Sequence, residues 1–525
     1  MRTGSRYVGI GLVSAATLLF ELCLTRIFAV AEWYHLAFFS VSVALLGYAA
    51  SGAILALLSP LWRARIGALS APALPLGILL AYEVINRIPF DSYTLAWDPR
   101  QYGYLAVYYL SLVIPFALSG LTVSYWLASS PEMSYKLYAA NLCGSALGSL
   151  GLLAALPVLG AEGVIVAAAA IGCVGAGALL RRSQRAGWAV WALALGGVAL
   201  ATMIPSWRTL RLSPYKGLSY ALQAPGAQLV EQRWSIHSRL DVVASPSLHS
   251  APGLSLNYAG KLPLQHGLTL DGDNLSPISR RAEPGDEAFL AYLPSSIPFA
   301  VRPSARVLIT QPRGGMDVAV ALNSGASQVV IVEDQPLVAQ VVRDRYGAFT
   351  GYLYSDSRVT IVTNSPRSAL QRGADRFDVI LFSLAESFHP LTSGAYSLSE
   401  NHLYTVEALT QALRRLSEGG LLVISRWLQD PPSECVRAGA LMTAALDRYG
   451  VRDVTQHVIA FRSWSTITIL ASPKPFGDED IALARGACQN LAYDMVYYPG
   501  MAASEGDLFN QLGKPMYYDA FQSLL

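Results

Sequence analysis

The residues with the clearest chemical use in this 525-residue chain lie in its second half. Between the apolar runs Arg306-Val-Leu-Ile-Thr310 and Gln328-Val-Val-Ile-Val-Glu333, the turn Gln311-Pro-Arg-Gly-Gly-Met-Asp317 sets Gly314 beside Gly315. Two residues without side chains let a ligand come within reach of the backbone. About 20 residues on, Glu333-Asp334 closes the second run, where a carboxylate can accept both hydroxyls of a ribose. Together they point to a nucleoside-bearing ligand, although the same residues also suit an ordinary tight turn and a solvated strand end. Glu386 follows the run Phe377–Phe382 and is a candidate general base, or else a surface acid on a long loop. His389 and His402 could assist it or simply face solvent. Arg426-Trp427, after the run Gly420–Ser425, could close a pocket or cap a sheet.

Such groups need a scaffold that gathers strand ends. Runs at Arg306–Thr310, Gln328–Glu333, Val359–Val362, Phe377–Phe382 and Gly420–Ser425 alternate with helical stretches near Asp317–Leu322, Gln335–Tyr346 and Thr405–Leu416. This alternation specifies a parallel sheet covered on both faces, with ligands at the carboxyl ends of its strands. Before it, Ser238–Ala244 and Gly267–Asp271 read as strands of a small β region, and Thr466–Leu470 as a final strand of the main sheet.

The first 205 residues have another texture. A chain that is 53% hydrophobic and 14% charged is too apolar for an ordinary soluble enzyme. Stretches near 7–29, 34–58, 66–86, 104–128, 137–158, 161–181 and 186–204 each approach the length that crosses a bilayer, the third being interrupted by Pro72 and Pro75. The first is expected to be a retained span rather than a cleaved leader. Gly144, Gly148 and Gly151, and Gly172 with Gly175, suit close helix packing. Basic residues from Arg2 to Arg185 favour a cytoplasmic amino terminus, whereas Arg208, Arg211 and Lys216 favour a cytoplasmic soluble half, so the orientation stays open. Glu21, Arg26 and Glu83 fall within these stretches and read as a substrate or proton site, or as internal pairs that fix helix packing. A net charge of +2 without a basic block argues against nucleic acid, and five scattered cysteines give neither a disulfide framework nor a metal site.

The order of motifs resembles the spermidine synthase (aminopropyltransferase) family, whose sheet is that of class I S-adenosylmethionine-dependent methyltransferases. The likeness covers residues 206 to about 430, and Phe20–Arg26 is similar to the first span of bacterial fusions of this domain to a membrane region. Leu270-Asp-Gly-Asp-Asn274 resembles the LDG-x-Q hairpin, Asp286-Glu287 the DE pair, and Gly314-Gly315-Met-Asp317 the GGGDG loop. Glu333 matches the ribose-binding acid, Ser399–Tyr404 resembles the segment opening the helix after the catalytic strand, and Glu418–Leu422 the PGG-L turn. Two positions depart from the pattern. Ser365 stands where an Asp meets adenine, and Ser383-Leu-Ala-Glu386 replaces the catalytic D-x-x-D, keeping one acid. Aminopropyl transfer needs an amine deprotonated and its cationic neighbour held, for which one carboxylate is poor equipment.

The expected fold is thus a helical membrane bundle of about seven spans (1–205), a small β-strand domain (206–300) and a Rossmann-like, methyltransferase-type α/β domain (301–525). The resemblance implies S-adenosylmethionine or its decarboxylated form as substrate, with no metal. Its site would comprise Glu386 as catalytic base and Gly314, Gly315, Asp317, Glu333, Asp334, Ser365, Ser383 and Asn274 around the cofactor. The leading expectation is a multi-pass plasma-membrane transferase moving an aminopropyl or methyl group to an amine. The alternative is a transporter or sensor whose degenerate domain binds a nucleoside or polyamine without chemistry. Expected partners are the bilayer, a small molecule and a second copy of the chain.

Overall fold

A computed structural model describes residues 3–32, 34–92, 94–180, 183–204, 207, 209–385 and 402–525. The chain divides into two compact units, residues 1–219 with 232–239, and residues 220–231 with 240–525.

The first unit is built on α1 (Thr3–Ala31), α2 (Tyr34–Leu57), α3 (Pro60–Arg87), α4 (Arg100–Ser129), α5 (Ser134–Leu179) and α6 (Arg185–Met203). All six are long and apolar enough to cross a membrane. The expected stretches at 137–158 and 161–181 are the two halves of α5, a 46-residue run that leaves helical geometry at Gly160, with φ 69° and ψ 171°, so the six helices hold all seven expected stretches. Pro72 and Pro75 do not break α3, which runs through both.

The turn at Gly160 folds α5 back on itself, because residues from both of its halves meet the same stretch of α1. A Cβ on Gly144 would lie 2.0 Å from the Gly11 carbonyl oxygen, and one on Gly148 2.3 Å from that of Ala15. From the other half, a Cβ on Gly175 would lie 3.0 Å from the Leu12 side chain. Such closeness is what small residues permit where lipid offers helices no hydrophobic reason to associate. Hydroxyls add short links: Thr17 Oγ1 donates to Ser119 Oγ at 2.9 Å, Ser14 Oγ to Asn141 Oδ1 at 2.7 Å and Thr122 Oγ1 to Ser70 Oγ at 2.9 Å. Of the ionisable groups in these helices, Glu83 pairs with Arg87 one turn on. Cys23 and Cys173 are buried here, whereas Cys143 is exposed.

The small β region is a four-stranded sheet in the order β1 (Gln228–Trp234), β2 (Arg239–Ala244), β3 (Gln265–Leu270) and β4 (Asp273–Ser279). Asp271 and Gly272 link β3 to β4 with φ of 49° and 71°, the paired left-handed turn that an Asp-Gly step favours.

The larger sheet has eight strands: β5 (Arg306–Thr310), β6 (Gln328–Glu333), β7 (Val359–Thr363), β8 (Phe377–Phe382), β9 (Leu416–Trp427), β10 (Val458–Arg462), β11 (Thr466–Ala471) and β12 (Asp494–Tyr497). Their order is β12-β10-β11-β9-β8-β5-β6-β7. β5 to β9 pair in parallel, and β11 is antiparallel to both β9 and β10. Side chains alternate between two apolar cores, one per face: Val307, Ile309, Val379 and Leu381 in one, Leu308, Ile380 and Phe382 in the other. This is a Rossmann-like sheet. From β5 the chain winds outward through β6 to β7 and returns to β8 on the other side of β5, so the crevice of the topological switch opens beyond Thr310 and Phe382.

The last residues close the sheet with an ion cluster. Thr466–Ala471 pairs as expected but is not final, since β12 adds an edge. Arg462, 1% exposed, meets Asp507 Oδ1 at 2.6 Å and the fully buried Asp494 at 3.3 Å, and also donates to the Asn510 carbonyl. Asp494 in turn accepts from the amides of Phe509 and Asn510.

Two stability predictions follow from these contacts. Gly144→Val overpacks the approach to α1 and should lower stability by about 1–3 kcal/mol, whereas Gly151→Ala, with open space around it, should be nearly neutral. Thermal unfolding in detergent checks both. Arg462→Met strands two acids in the interior and should cost about 3–5 kcal/mol by the same measurement.

Candidate functional site

The site is organised by the loop leaving β5. At Gly314 the loop lies against β4, where a Cβ would come 2.2 Å from the Pro277 carbonyl oxygen, and its amide donates to Ser276 Oγ at 3.1 Å. Gly315 has φ 93°, and a Cβ there would meet the Leu353 side chain at 2.7 Å. Both glycines are therefore required by neighbouring protein atoms, and they start the helix Met316–Asn323.

Asp317 sits in the first turn of that helix and faces the crevice. Burial pushes its carboxyl up, and the hydroxyls of Ser383 and Ser295 beside it draw it back. Ser383 directly follows β8, is 6% exposed, and its Oγ has no other hydrogen-bond partner. Thr310, buried at the end of β5, likewise leaves Oγ1 unpartnered. Asp317, Ser383 and Ser295 border a cleft, open to solvent, whose walls include Leu293, Pro294, Phe382, Ser425, Trp427 and Thr466. Among the described lining residues Asp317 is the one carboxylate and Arg313 the one cation.

Glu333 and Asp334 end β6 beside the same loop, with a different environment. Glu333 is fully buried. Its Oε1 accepts from Arg313 Nη1 at 2.6 Å and from the Gln335 amide at 3.1 Å, and its Oε2 accepts from the Arg313 amide at 3.4 Å. Arg313 Nη1 also reaches Asp334 Oδ1 at 2.9 Å, and Gln311 Nε2 donates to Asp334 Oδ2 at 2.9 Å. Burial pushes the Glu333 carboxyl up to about 7 against the pull of Arg313. At Asp334 burial acts in the same direction, but Arg313, Glu333 and Gln311 outweigh it and hold that acid below its ordinary range. Sequence reasoning named the two acids and missed Arg313 and Gln311. The available signal was that both stand within a glycine-type turn with long hydrogen-bonding side chains.

The remaining expected residues are more dispersed. Ser365 is exposed and caps the helix Pro366–Arg372, accepting from the Ser368 amide at 3.3 Å. Asn274 lies just past the Asp271-Gly272 turn with φ 54°. Arg426 stacks over the Tyr404 ring with 3.5 Å from its guanidinium carbon to the centroid, and its neighbour Trp427 lines the cleft. His402 is exposed. Glu386 and His389 lie outside the described residues, so the general-base expectation has no geometry to set beside it.

No family model matches the chain, and no curated protein matches it. Solved structures do. The spermidine synthase of Thermotoga maritima overlaps 56% of this chain and 88% of its own at 17% identity and a TM-score of 0.36. A spermidine synthase in complex with the transition-state analogue AdoDATO overlaps the same shares at 16% identity and a TM-score of 0.35. The fold rests on the strand order described above rather than on these overlaps. In structure, as in its motifs, the chain is similar to spermidine synthases over about half its length, with six membrane-length helices in the remainder.

Proposed function

We propose that this chain is a multi-pass protein of the plasma membrane whose soluble unit binds a small amine at the tips of β5 and β8. The observation that carries the reading is the cleft floor: among the described lining residues the carboxylate is Asp317, set beside the buried hydroxyl of Ser383 and that of Ser295. An alkylammonium group supplies donors for that carboxylate and those hydroxyls. The side walls of proline, leucine and aromatic residues suit its methylenes.

A second reading is alkyl transfer to that amine from S-adenosylmethionine or its decarboxylated form. The position of the cleft at the switch point beside the turn after β5 favours it. In such a step the amine nitrogen attacks the carbon next to the sulfonium, the carbon–sulfur bond breaks to leave a neutral thioether, and the amine proton passes to a carboxylate. Positioning supplies much of the acceleration in a displacement of this kind.

Melting the purified full-length protein in detergent separates the two. Saturating putrescine is expected to raise the melting point, by the equivalent of about 2.7 kcal/mol at a hundredfold excess over its dissociation constant. Asp317→Asn should abolish that rise. Because binding requires the ionised carboxyl and burial raises its titration, the rise should fade on acidification and begin to do so above the ordinary aspartate range. A consumed sulfonium substrate and an alkylated amine product would establish the transferase reading. A protein indifferent to amines at every pH would sink the first one.

A further inference from the structure

We propose that Arg313, assisted by Gln311, is a built-in occupant of the Glu333–Asp334 carboxylates and closes the soluble unit to ribose-bearing ligands. It rests on the amine reading of the same crevice and stands against the transfer reading, because S-adenosylmethionine carries the ribose that this half of the crevice would exclude.

The backbone gives the first indication. Gln311 and Arg313 have φ of 50° and 53°, in the left-handed region where a side chain is a liability and glycine is at ease. Residues of this size persist there only when their surroundings hold them. What holds them is the acid pair. Arg313 Nη1 bridges Glu333 Oε1 and Asp334 Oδ1 at 2.6 and 2.9 Å, while Gln311 Nε2 takes the remaining oxygen of Asp334 at 2.9 Å. The backbone of Arg313 is fastened as well, its amide to Glu333 Oε2 and its carbonyl to the hydroxyl of the buried Tyr354 at 3.0 Å.

The geometry then determines what can bind. All four carboxylate oxygens of Glu333 and Asp334 already accept hydrogen bonds from within the chain. The Glu333 carboxyl has no exposure, and the Arg313 side chain over it is 12% exposed. A vicinal diol can reach these oxygens only by displacing a guanidinium, which leaves a buried carboxylate without its counter-ion and a cation without its acids. A neutral pair of hydroxyls is a poor exchange for that ion pair. Asp317 and Ser383, on the other side of the loop, do not appear among the groups bound by Arg313 and Gln311 and remain available to an amine.

The test uses the full-length protein in detergent, titrated calorimetrically with adenosine and S-adenosylmethionine, with putrescine stabilisation measured in parallel. The wild type is expected to bind neither nucleoside at millimolar concentration. Gln311→Gly with Arg313→Gly should bind adenosine at least about tenfold more tightly than the wild type. Adding Glu333→Gln should remove the gain. Should the glycine variant fail to fold, Arg313→Asn takes its place, since Asn tolerates the left-handed backbone and is too short to span both acids. A wild type that binds adenosine as tightly as the variants overturns the proposal. So does a variant that melts cooperatively without gaining adenosine. Loss of the putrescine response alone, with the adenosine gain intact, refutes the amine reading and leaves this one standing.

Discussion

A carboxylate without access to water must find its positive partner inside the protein, and the tip of β6 meets this constraint with its own loop. Glu333 is sealed, so the chain after β5 delivers a guanidinium to it, and the backbone takes up left-handed angles at Gln311 and Arg313 to do so. The two glycines then serve that loop. Gly314 lets it rest on β4, and Gly315 clears Leu353 and Tyr354, the residue that anchors the Arg313 carbonyl. What resembles a loop shaped around a ligand is shaped here around the protein's own side chains.

The crevice is consequently asymmetric. On the β6 side the polar groups satisfy one another. On the β8 side Asp317 is half-buried beside the hydroxyls of Ser383 and Ser295, and the cleft opens beside it. A Rossmann-like sheet gathers strand ends whatever chemistry they carry. The chemical character of this one comes from a few residues at those ends.

Much of the sheet was legible because its physics is local. Continuous apolar runs of β-branched residues separated by amphipathic stretches, as from Arg306 to Ser425, have few folded solutions, and the Asp271-Gly272 step names its own turn. The membrane helices were legible for the same reason, including α3 despite its prolines. Pairings set by three-dimensional proximity were harder to see. Nothing in the spacing says that Arg313 turns toward Glu333, that Arg462 anchors the segment after β12 through Asp494 and Asp507, or that Ser365 is used as a helix cap. A carboxylate at a strand end looks the same in sequence whether it awaits a ribose or already holds an arginine.

The single left-handed residue inside α5 has a mechanical consequence. As one rod at 1.5 Å per residue, its 46 residues would extend roughly 70 Å, more than twice the hydrocarbon thickness of a bilayer. Lipid thickness thus acts as a template, since a straightened run would force apolar side chains into headgroups and water at one end or the other. Bilayers of different thickness should press on this joint differently.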